Sequence, residues 1–138
     1  MSEMHDFNRG IIEEFRANHG KVGGGFDGAS LVLLTTTGAK TGTQRVNPLA
    51  TLAQNDTLYV FASKGGAPTD PDWYRNLVAH PDVEVEYGDE KFAAVARVVT
   101  GAERDRIFAV QKERMPGFAD YEKGTSRVIP VVELRRAN

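Results

Sequence analysis

The chain contains no cysteine among its 138 residues. This absence excludes disulfide frameworks, thiolate nucleophiles and cysteine-ligated metal sites, and it fits a reducing cytoplasm. The sequence also lacks any apolar run close to the roughly 20 residues that a membrane-spanning helix needs, and no signal-peptide pattern opens it. We therefore expect a cytoplasmic protein. A formal net charge of −2 argues against a nucleic-acid partner, because nucleic-acid-binding domains carry strong basic patches.

Common catalytic patterns are missing as well. The three histidines are scattered, with no pair spaced i, i+4, so we expect no metal site. No serine stands in a GxSxG context, which argues against a hydrolase nucleophile. The glycines at 23–25 do not form a dinucleotide fingerprint, since no strand precedes them and no helix follows at the right place. The chain therefore offers no side chain that stands out as a nucleophile.

The pattern of apolar residues predicts one domain over residues 1–138. A helix is expected over residues 5–19 within an N-terminal segment that ends in a glycine-rich connector at residue 29. The predicted strands are residues 30–37, 44–53, 58–62, 83–87, 91–99 and 128–134; the later helices are residues 71–79 and 101–114, and residues 115–121 are a loop. Because hairpins dominate the strand connections, we expect the α+β class, with about six mainly antiparallel strands in a small β-barrel or curled sheet and flanking helices.

Helix ends and the first helix carry further expectations. Asp70 is predicted as the N-cap of the second helix and Pro71 as its first residue, while Thr100 and Glu103 have capping-box spacing. For the helix over residues 5–19, the favoured interpretation is packing on the sheet. The alternative is peripheral contact with the inner face of the cell membrane, which an acidic polar face disfavours.

The candidate site lies where two strands end in glycine-bearing turns that each hold a cation. Lys40 stands in GAKTG, Lys64 stands in SKGG, and Arg45 begins the strand between them. Glycines allow backbone N–H groups to approach a ligand and form anion-binding nests, and a guanidinium binds phosphate or carboxylate in a bidentate manner. The spacing of GAKTG is not that of a P-loop. We expect an anionic small molecule across residues 31–76.

Some residues of this stretch have two interpretations. Asn47 either offers its amide to a heteroaromatic edge or satisfies a bulge at Pro48, where the missing N–H predicts an edge, a bulge or a bend. Trp73 and Tyr74 either stack on a flat ring or, for Trp73, anchor the core.

Three blocks, TTTGAKTGTQRVNPL, FASKGGAPTDPDWYRNL and DYEKGTSRVIPVVEL, closely resemble the deazaflavin-dependent nitroreductase family, the F420H2-dependent reductases of the split β-barrel flavin-binding superfamily. The resemblance covers residues 7–135. It implies a split β-barrel that binds coenzyme F420, an 8-hydroxy-5-deazaflavin with a phosphate and an oligoglutamate tail. By analogy with split-barrel relatives, a homodimer is also an expectation.

The resemblance also implies roles for individual residues. Ala39, Lys40 and Thr41 would meet the phosphate and tail, and Arg45 would clamp them. The remaining cofactor-binding residues would be Val46, Asn47, Pro48, Leu49, Ala50, Phe61, Ala62, Ser63, Lys64, Asp72, Trp73, Tyr74, Arg75 and Asn76. Met115, Phe118 and Tyr121 would form the substrate pocket, with Tyr121 and Ser63 closest to the chemistry.

The implied reaction is hydride transfer from reduced deazaflavin to a flat conjugated small molecule. Expected acceptors are a quinone or an α,β-unsaturated lactone such as a coumarin or aflatoxin. Nitro compounds are less expected, because nitroimidazole-reducing relatives use tyrosines where this chain has Met115 and Phe118. Two alternatives stay open: an FMN-dependent split-barrel reductase, and a non-catalytic F420-binding carrier.

Overall fold

The computed structural model describes residues 3–18, 31–54, 57–62, 71–123 and 129–137, and the side chains of all of these except residues 3–8, 117 and 121. Six strands and four helices lie in these ranges. They are α1 Glu3–Ala17, β1 Leu31–Thr37, β2 Gln44–Gln54, β3 Thr57–Phe61, α2 Asp72–Ala79, β4 Asp82–Tyr87, β5 Glu90–Val99, α3 Gly101–Arg114, α4 Gly117–Lys123 and β6 Val131–Arg136.

The strands close into a barrel in the order β1-β2-β3-β6-β5-β4, and every neighbouring pair is antiparallel. This confirms the predicted fold class. β1 and β2 form a hairpin in which Leu33 faces Pro48. β2 and β3 pair over a shorter stretch, with Thr51 opposite Val60. The ends of β1 and β3 and the start of β2 therefore lie toward one end of the barrel, where both predicted glycine turns begin.

The barrel interior is filled by side chains. Alternate residues of the strands point inward, as the two-residue period of a strand requires. They are Val32, Leu34, Leu58, Val60, Ala62, Val83, Val85, Ala94, Val132 and Leu134, and α2 adds Trp73 and Leu77 to the same cluster. Because this interior is a packed core, a ligand of coenzyme size has to be held on the outside or at the rim of the barrel.

Helix α1 covers the outer face of β1. Ile11 and Phe15 pack there against Leu31 and Leu33, which agrees with the favoured interpretation of this helix. Arg16 also donates two hydrogen bonds to the Glu86 carboxylate on β4, at 3.0 and 2.8 Å. That carboxylate raises the pKa of Arg16. Among the described helices, none is long and apolar enough to cross a membrane.

Helices α3 and α4 cover the outer faces of β3 and β6. Ile107 and Phe108 from α3 and Phe118 from α4 pack with Phe61 and Val131. The three aromatic rings meet edge to face, with centroids 5.6 to 6.4 Å apart, a geometry that the ring quadrupoles favour. The sheet thus separates an inner core from two outer ones.

Several predicted details are wrong. Residues 117–123 form helix α4, where a loop was expected over residues 115–121. Pro71 is the N-cap of α2 and not its first residue; Asp70, the predicted N-cap, lies outside the described residues. Thr100 caps α3 without a side-chain cap hydrogen bond within the described chain. The capping box is replaced by a tertiary contact, since Glu103 accepts a hydrogen bond from Arg97 at 3.3 Å.

Candidate functional site

The GAKTG turn is closed by its own backbone. Gly38 donates to the carbonyl oxygen of Thr43 at 2.8 Å, and Gly42 donates to the carbonyl oxygen of Gly38 at 3.0 Å. Gly42 has φ 71°, a conformation that side chains disfavour. A Cβ at Gly38 would lie 2.6 Å from Thr41 Oγ1, and this hydroxyl already accepts the Thr43 N–H at 3.2 Å. The turn is therefore tight, and it holds Lys40 exposed at its tip.

Asn76 of α2 joins this turn to the barrel. Its Oδ1 accepts the backbone N–H of Ala39 at 3.0 Å, and its Nδ2 donates to Thr36 Oγ1 at 3.2 Å. The side chain is buried, and Thr36 faces Arg45 across the β1–β2 ladder. One amide thus ties α2, the end of β1 and the turn together, directly beside the strand position that holds Arg45.

The first half of β2 is an edge. Among the described residues, β3 pairs with β2 only from Thr51 to Gln54, so residues 44–50 have β1 on one side and no strand on the other. Pro48 lies in this half, as expected of a residue that cannot donate to a ladder. An edge strand presents unpaired backbone N–H and C=O groups. Since no described strand pairs with this half of β2, its backbone groups are suited to the polar rim of a ligand.

A cavity of about 380 Å³ opens between α1 and this edge. Residues 43–47 line one side of it, and Arg9 and Ile12 of α1 line the other. The polar lining groups are two guanidiniums, two amides and a threonine, and no carboxylate is among the described lining residues. Such a cavity is suited to an anionic ligand, since each of these side chains can donate hydrogen bonds.

A second cavity, of about 370 Å³, lies at the opposite end of the barrel and has a different electrostatic character. Its arginine, Arg136, donates to Glu90 at 2.9 Å and lies 3.8 Å from the centroid of the Phe92 ring. The charge is therefore compensated by a neighbouring carboxylate. In contrast, neither Arg9 nor Arg45 has an acidic partner among the described residues.

The structure brings together three of the predicted groups of site residues, namely the turn, the first half of β2 and Asn76 of α2. Arg45, Val46 and Asn47 line the cavity. Lys40 is not among the described lining residues, because it stands at the turn tip. Leu49 packs against the barrel core and Ala50 against both outer clusters.

The predicted residues of α2 mostly have structural contacts. Trp73 is 6% exposed inside the barrel core, so of its two interpretations the geometry favours the core anchor. Tyr74 packs against the same core, with its ring centroid 6.5 Å from that of Trp73. Asp72 and Arg75 are exposed and form an ion pair at 3.3 Å.

The other predicted residues lie apart from the cavity or outside the described chain. Ala62 belongs to the barrel core and Phe61 to the outer cluster under α3. Phe118 is 6% exposed in that outer cluster, and Met115 packs against it. Ser63, Lys64 and the side chain of Tyr121 lie outside the described residues. The roles implied for these residues stay predictions.

Nothing in the sequence indicated the roles of two arginines, one in the cavity and one on α3. Arg9 lies on the polar side of α1, where a lone arginine is an ordinary solvated residue. Arg104 of α3 is buried, and its Nε and Nη2 donate to the carbonyl oxygen of Ile129 at 3.1 and 2.9 Å. It therefore anchors the chain that enters β6. Periodicity could not reveal either contact, because both join elements distant in the sequence.

A closed antiparallel barrel with a packed interior, an edge strand and a cationic cavity beside a glycine turn defines a split-barrel cofactor-binding protein. Residues 7–135 match the family model described as F420H(2)-dependent quinone reductase. The chain belongs to this family, and it is therefore an oxidoreductase of the coenzyme F420-dependent class. This confirms the resemblance seen in the three sequence blocks.

Individual relatives agree with this assignment. An F420H(2)-dependent quinone reductase of Mycobacterium tuberculosis (strain ATCC 25618 / H37Rv) is 39% identical over 126 residues, which is 88% of this chain and 85% of the relative. A solved F420-H2 dependent reductase is 40% identical with a TM-score of 0.71, covering 77% of this chain and 94% of its own. A solved domain-swapped dimer is 35% identical with a TM-score of 0.73, covering 96% and 100%.

Proposed function

We propose that the protein transfers a hydride from F420H2 to a quinone. The observation that carries this proposal is the cavity between α1 and the edge of β2, which combines guanidiniums that have no acidic partner among the described residues with a strand edge that no described strand pairs. The quinone as acceptor is supported by the description of the family and by the relatives that carry the same name.

The described residues fit the coenzyme. Its phosphate requires cations and backbone donors, which Arg45 and the turn around Lys40 offer, and no carboxylate is among the described residues that line the cavity. Its ring has a polar rim that requires hydrogen bonds, which the edge of β2 can supply. We therefore propose that the turn and Arg45 hold the phosphate, and that residues 46–50 run along the ring. Asn76 acts indirectly, since its amide holds the turn in place.

Reduced 5-deazaflavin supplies a hydride at C5, and the protein's own task is positioning and electrostatics. The backbone groups of the β2 edge orient the cofactor, and the packed barrel behind them excludes water from that side. Donors near the acceptor oxygen stabilise the negative charge that develops there. We propose Tyr121 and Ser63 for this role. No side-chain nucleophile is required, which agrees with the lack of one in the sequence.

The side chains expected in the acceptor pocket indicate which acceptors the protein reduces. Met115 and Phe118 replace tyrosines of nitroimidazole-reducing relatives, and apolar side chains provide fewer donors for a nitro group. We therefore propose flat apolar acceptors, first a quinone such as menadione and second an unsaturated lactone such as a coumarin. Nitro compounds should react more slowly than either.

A direct assay tests the function. Purified protein, F420H2 and menadione are mixed, and the recovery of oxidised-coenzyme absorbance is followed against an enzyme-free control. We expect recovery well above the control, and Arg45→Gln should raise the KM for the coenzyme more than it lowers kcat. A parallel reaction with reduced FMN tests the alternative cofactor. Absence of turnover across a panel of quinones, lactones and nitro compounds, despite F420 binding, would instead support a carrier protein.

We also propose that the protein forms a homodimer. The support is the solved relative that is a domain-swapped dimer at 35% identity and aligns over 96% of this chain. Sedimentation equilibrium measures the mass directly. A mass equal to that of one 15.1 kDa chain at micromolar concentration would contradict the proposal. Contact of α1 with membranes is tested by co-sedimentation with anionic vesicles.

A further inference from the structure

Arg9 of α1 faces the candidate cofactor site from outside the barrel. Ile11 and Phe15 are buried against β1, and Arg16 is held by two hydrogen bonds to Glu86. These contacts fix how α1 is rotated and where it lies on the sheet. Arg9 and Ile12 are then presented together to the cavity that residues 43–47 line from the other side.

The charge in this cavity is not balanced by the described part of the protein. Several arginines elsewhere lie against carboxylates, as with Arg16 and Glu86 at 2.8 Å or Arg136 and Glu90 at 2.9 Å. Arg9 and Arg45 share one cavity without such a partner among the described residues. Two like charges that share a cavity repel each other, and a bound anion removes this cost.

The cavity has room for more than one anionic group. A volume of about 380 Å³ lies within the range of small-molecule sites. Arg45 lies next to the glycine turn, where backbone N–H groups can donate hydrogen bonds to a phosphate. Arg9 lines the same cavity from a different element, α1, and is therefore placed to meet another part of a ligand that Arg45 holds. A guanidinium is well matched to a carboxylate, which it can bind with two parallel hydrogen bonds.

We propose that Arg9 binds a carboxylate of the coenzyme's oligoglutamate tail, so that the tail passes between α1 and β2. This inference rests on the proposed function, because it assumes that F420 occupies the adjoining site. It assigns to α1 a part in cofactor recognition in addition to packing. It also makes tail length a determinant of affinity, through a residue outside the three sequence blocks.

Binding, measured without turnover, tests this assignment. Coenzyme fluorescence is titrated with wild-type protein, Arg9→Gln and Arg106→Gln, using F420 that carries several glutamates and the deazaflavin riboside that lacks phosphate and tail. Arg106 is the matched control, since it is an exposed arginine on α3 away from the cavity and without a partner among the described residues. Circular dichroism and thermal melting establish that each variant is folded.

We expect Arg9→Gln to weaken binding of the glutamate-bearing coenzyme by about tenfold, as loss of a charge-assisted hydrogen bond predicts. Binding of the riboside should not change, and Arg106→Gln should behave as wild type. The charge reversal Arg9→Glu should weaken tail binding further. Equal affinities of wild type and Arg9→Gln for the glutamate-bearing coenzyme, or an equal loss for the riboside, would overturn the assignment. A wild-type protein that binds no form of F420 would overturn the proposed function itself.

Discussion

Glycine has opposite effects on stability at two positions of this protein, in the turn at Gly42 and in helix α1 at Gly10. Gly42 has φ 71°, and a Cβ there would have no heavy atom within 4 Å. Glycine is therefore favoured at position 42 by the backbone conformation and not by a lack of space for a side chain. Gly10 lies exposed within α1, also with open space around its Cβ position. In a helix, glycine costs free energy because it loses more backbone entropy on folding than alanine does.

Alanine at these two glycines should shift stability in opposite directions. We expect Gly42→Ala to lower the free energy of unfolding by about 1 kcal/mol, since the left-handed backbone is strained by a side chain. Gly10→Ala should raise it by about 0.5–1 kcal/mol. Urea denaturation of both variants beside wild type measures the difference. A loss of stability on Gly10→Ala would mean that α1 is not a regular helix at this point.

The Arg97–Glu133 pair is the residue-scale source of pH dependence. Glu133 is 4% exposed on the outer face of β6, and Arg97 donates to its carboxylate at 3.3 and 3.0 Å. This hydrogen bonding lowers the pKa of Glu133 from its ordinary value of 4.5, and the charge of Arg135 acts in the same direction. A lowered pKa means that the folded state prefers the ionised carboxylate. Its stabilisation is thus present above pH 4.5 and is lost as the pH falls through the folded pKa.

Glu133→Gln should remove this dependence. We expect the variant to be less stable than wild type at pH 7, with the difference shrinking as the pH falls below about 4.5. Thermal melting from pH 7 to pH 3 measures it. Glu103→Gln is the control, since Glu103 contacts the same arginine at 3.3 Å but has a side chain 40% exposed, where ion pairs contribute little. A constant difference at every pH would show that Glu133 acts through packing alone.

At the scale of elements, strands and long helices were predictable from sequence and short, contact-dependent features were not. β5 and α3 follow their predicted bounds within a residue, because two-residue and helical periods extend over many positions. Helix α4 has only seven residues and directly follows Pro116. So short a helix is not stable alone and depends here on Phe118 packing against Phe61 and Phe108. No local pattern encodes those long-range contacts.

The candidate site divides in the same way. The cation and the two glycines of GAKTG could be recognised in the sequence, because turn chemistry is local. The two sides of the cavity were not, since Arg9 and Arg45 meet only after α1 packs on β1. Asn76 was expected along the cofactor, but in the structure its Oδ1 accepts the Ala39 N–H and its Nδ2 donates to the Thr36 hydroxyl. Its effect on a ligand is therefore exerted through the turn.

Asn76 gives a test of how elements cooperate. Asn76→Ala leaves the Ala39 N–H and the Thr36 hydroxyl without this partner, so we expect a loss of about 1–3 kcal/mol in unfolding free energy. F420 affinity should also fall, because the turn is no longer held. Asn76→Asp keeps the oxygen that accepts the Ala39 N–H but loses the donor to Thr36. Its F420 affinity should therefore lie between those of wild type and Asn76→Ala. Urea denaturation and fluorescence titration measure these effects.

The control for this experiment is Val78→Ala on the same helix, since Val78 is 57% exposed. It should leave both stability and affinity near wild type. If Asn76→Ala lowers stability but leaves F420 affinity unchanged, the turn does not depend on Asn76 for its binding geometry.

At the scale of the whole molecule, the strands differ in whether helices cover their outer faces. β1 is buried at every residue except its last, and β6 is buried over its first four residues, since these parts lie between the barrel core and a helical layer. The buried part of β1 is the apolar run LVLL followed by two buried threonines, and that of β6 is VVEL, in which Arg97 compensates the charge of Glu133. β4 and most of β5 alternate instead, because, apart from Glu86 at Arg16 and Val99 under α3, their outer faces are not covered by a described helix. Continuous burial thus marks the strands that are covered on both faces, and alternating burial marks the strands that are covered on one face.

This arrangement predicts where the fold tolerates loss of side-chain volume. Leu134 is 2% exposed and points into the barrel core, so Leu134→Ala should cost about 2–5 kcal/mol through lost burial and a cavity. Val95 is 42% exposed on the uncovered face of β5, so Val95→Ala should change stability by less than about 0.5 kcal/mol. Urea denaturation at low protein concentration compares them. If Val95→Ala proves as costly as Leu134→Ala, the face of β5 is covered in solution, and a concentration-dependent melting temperature would then identify a second copy of the chain as the cover.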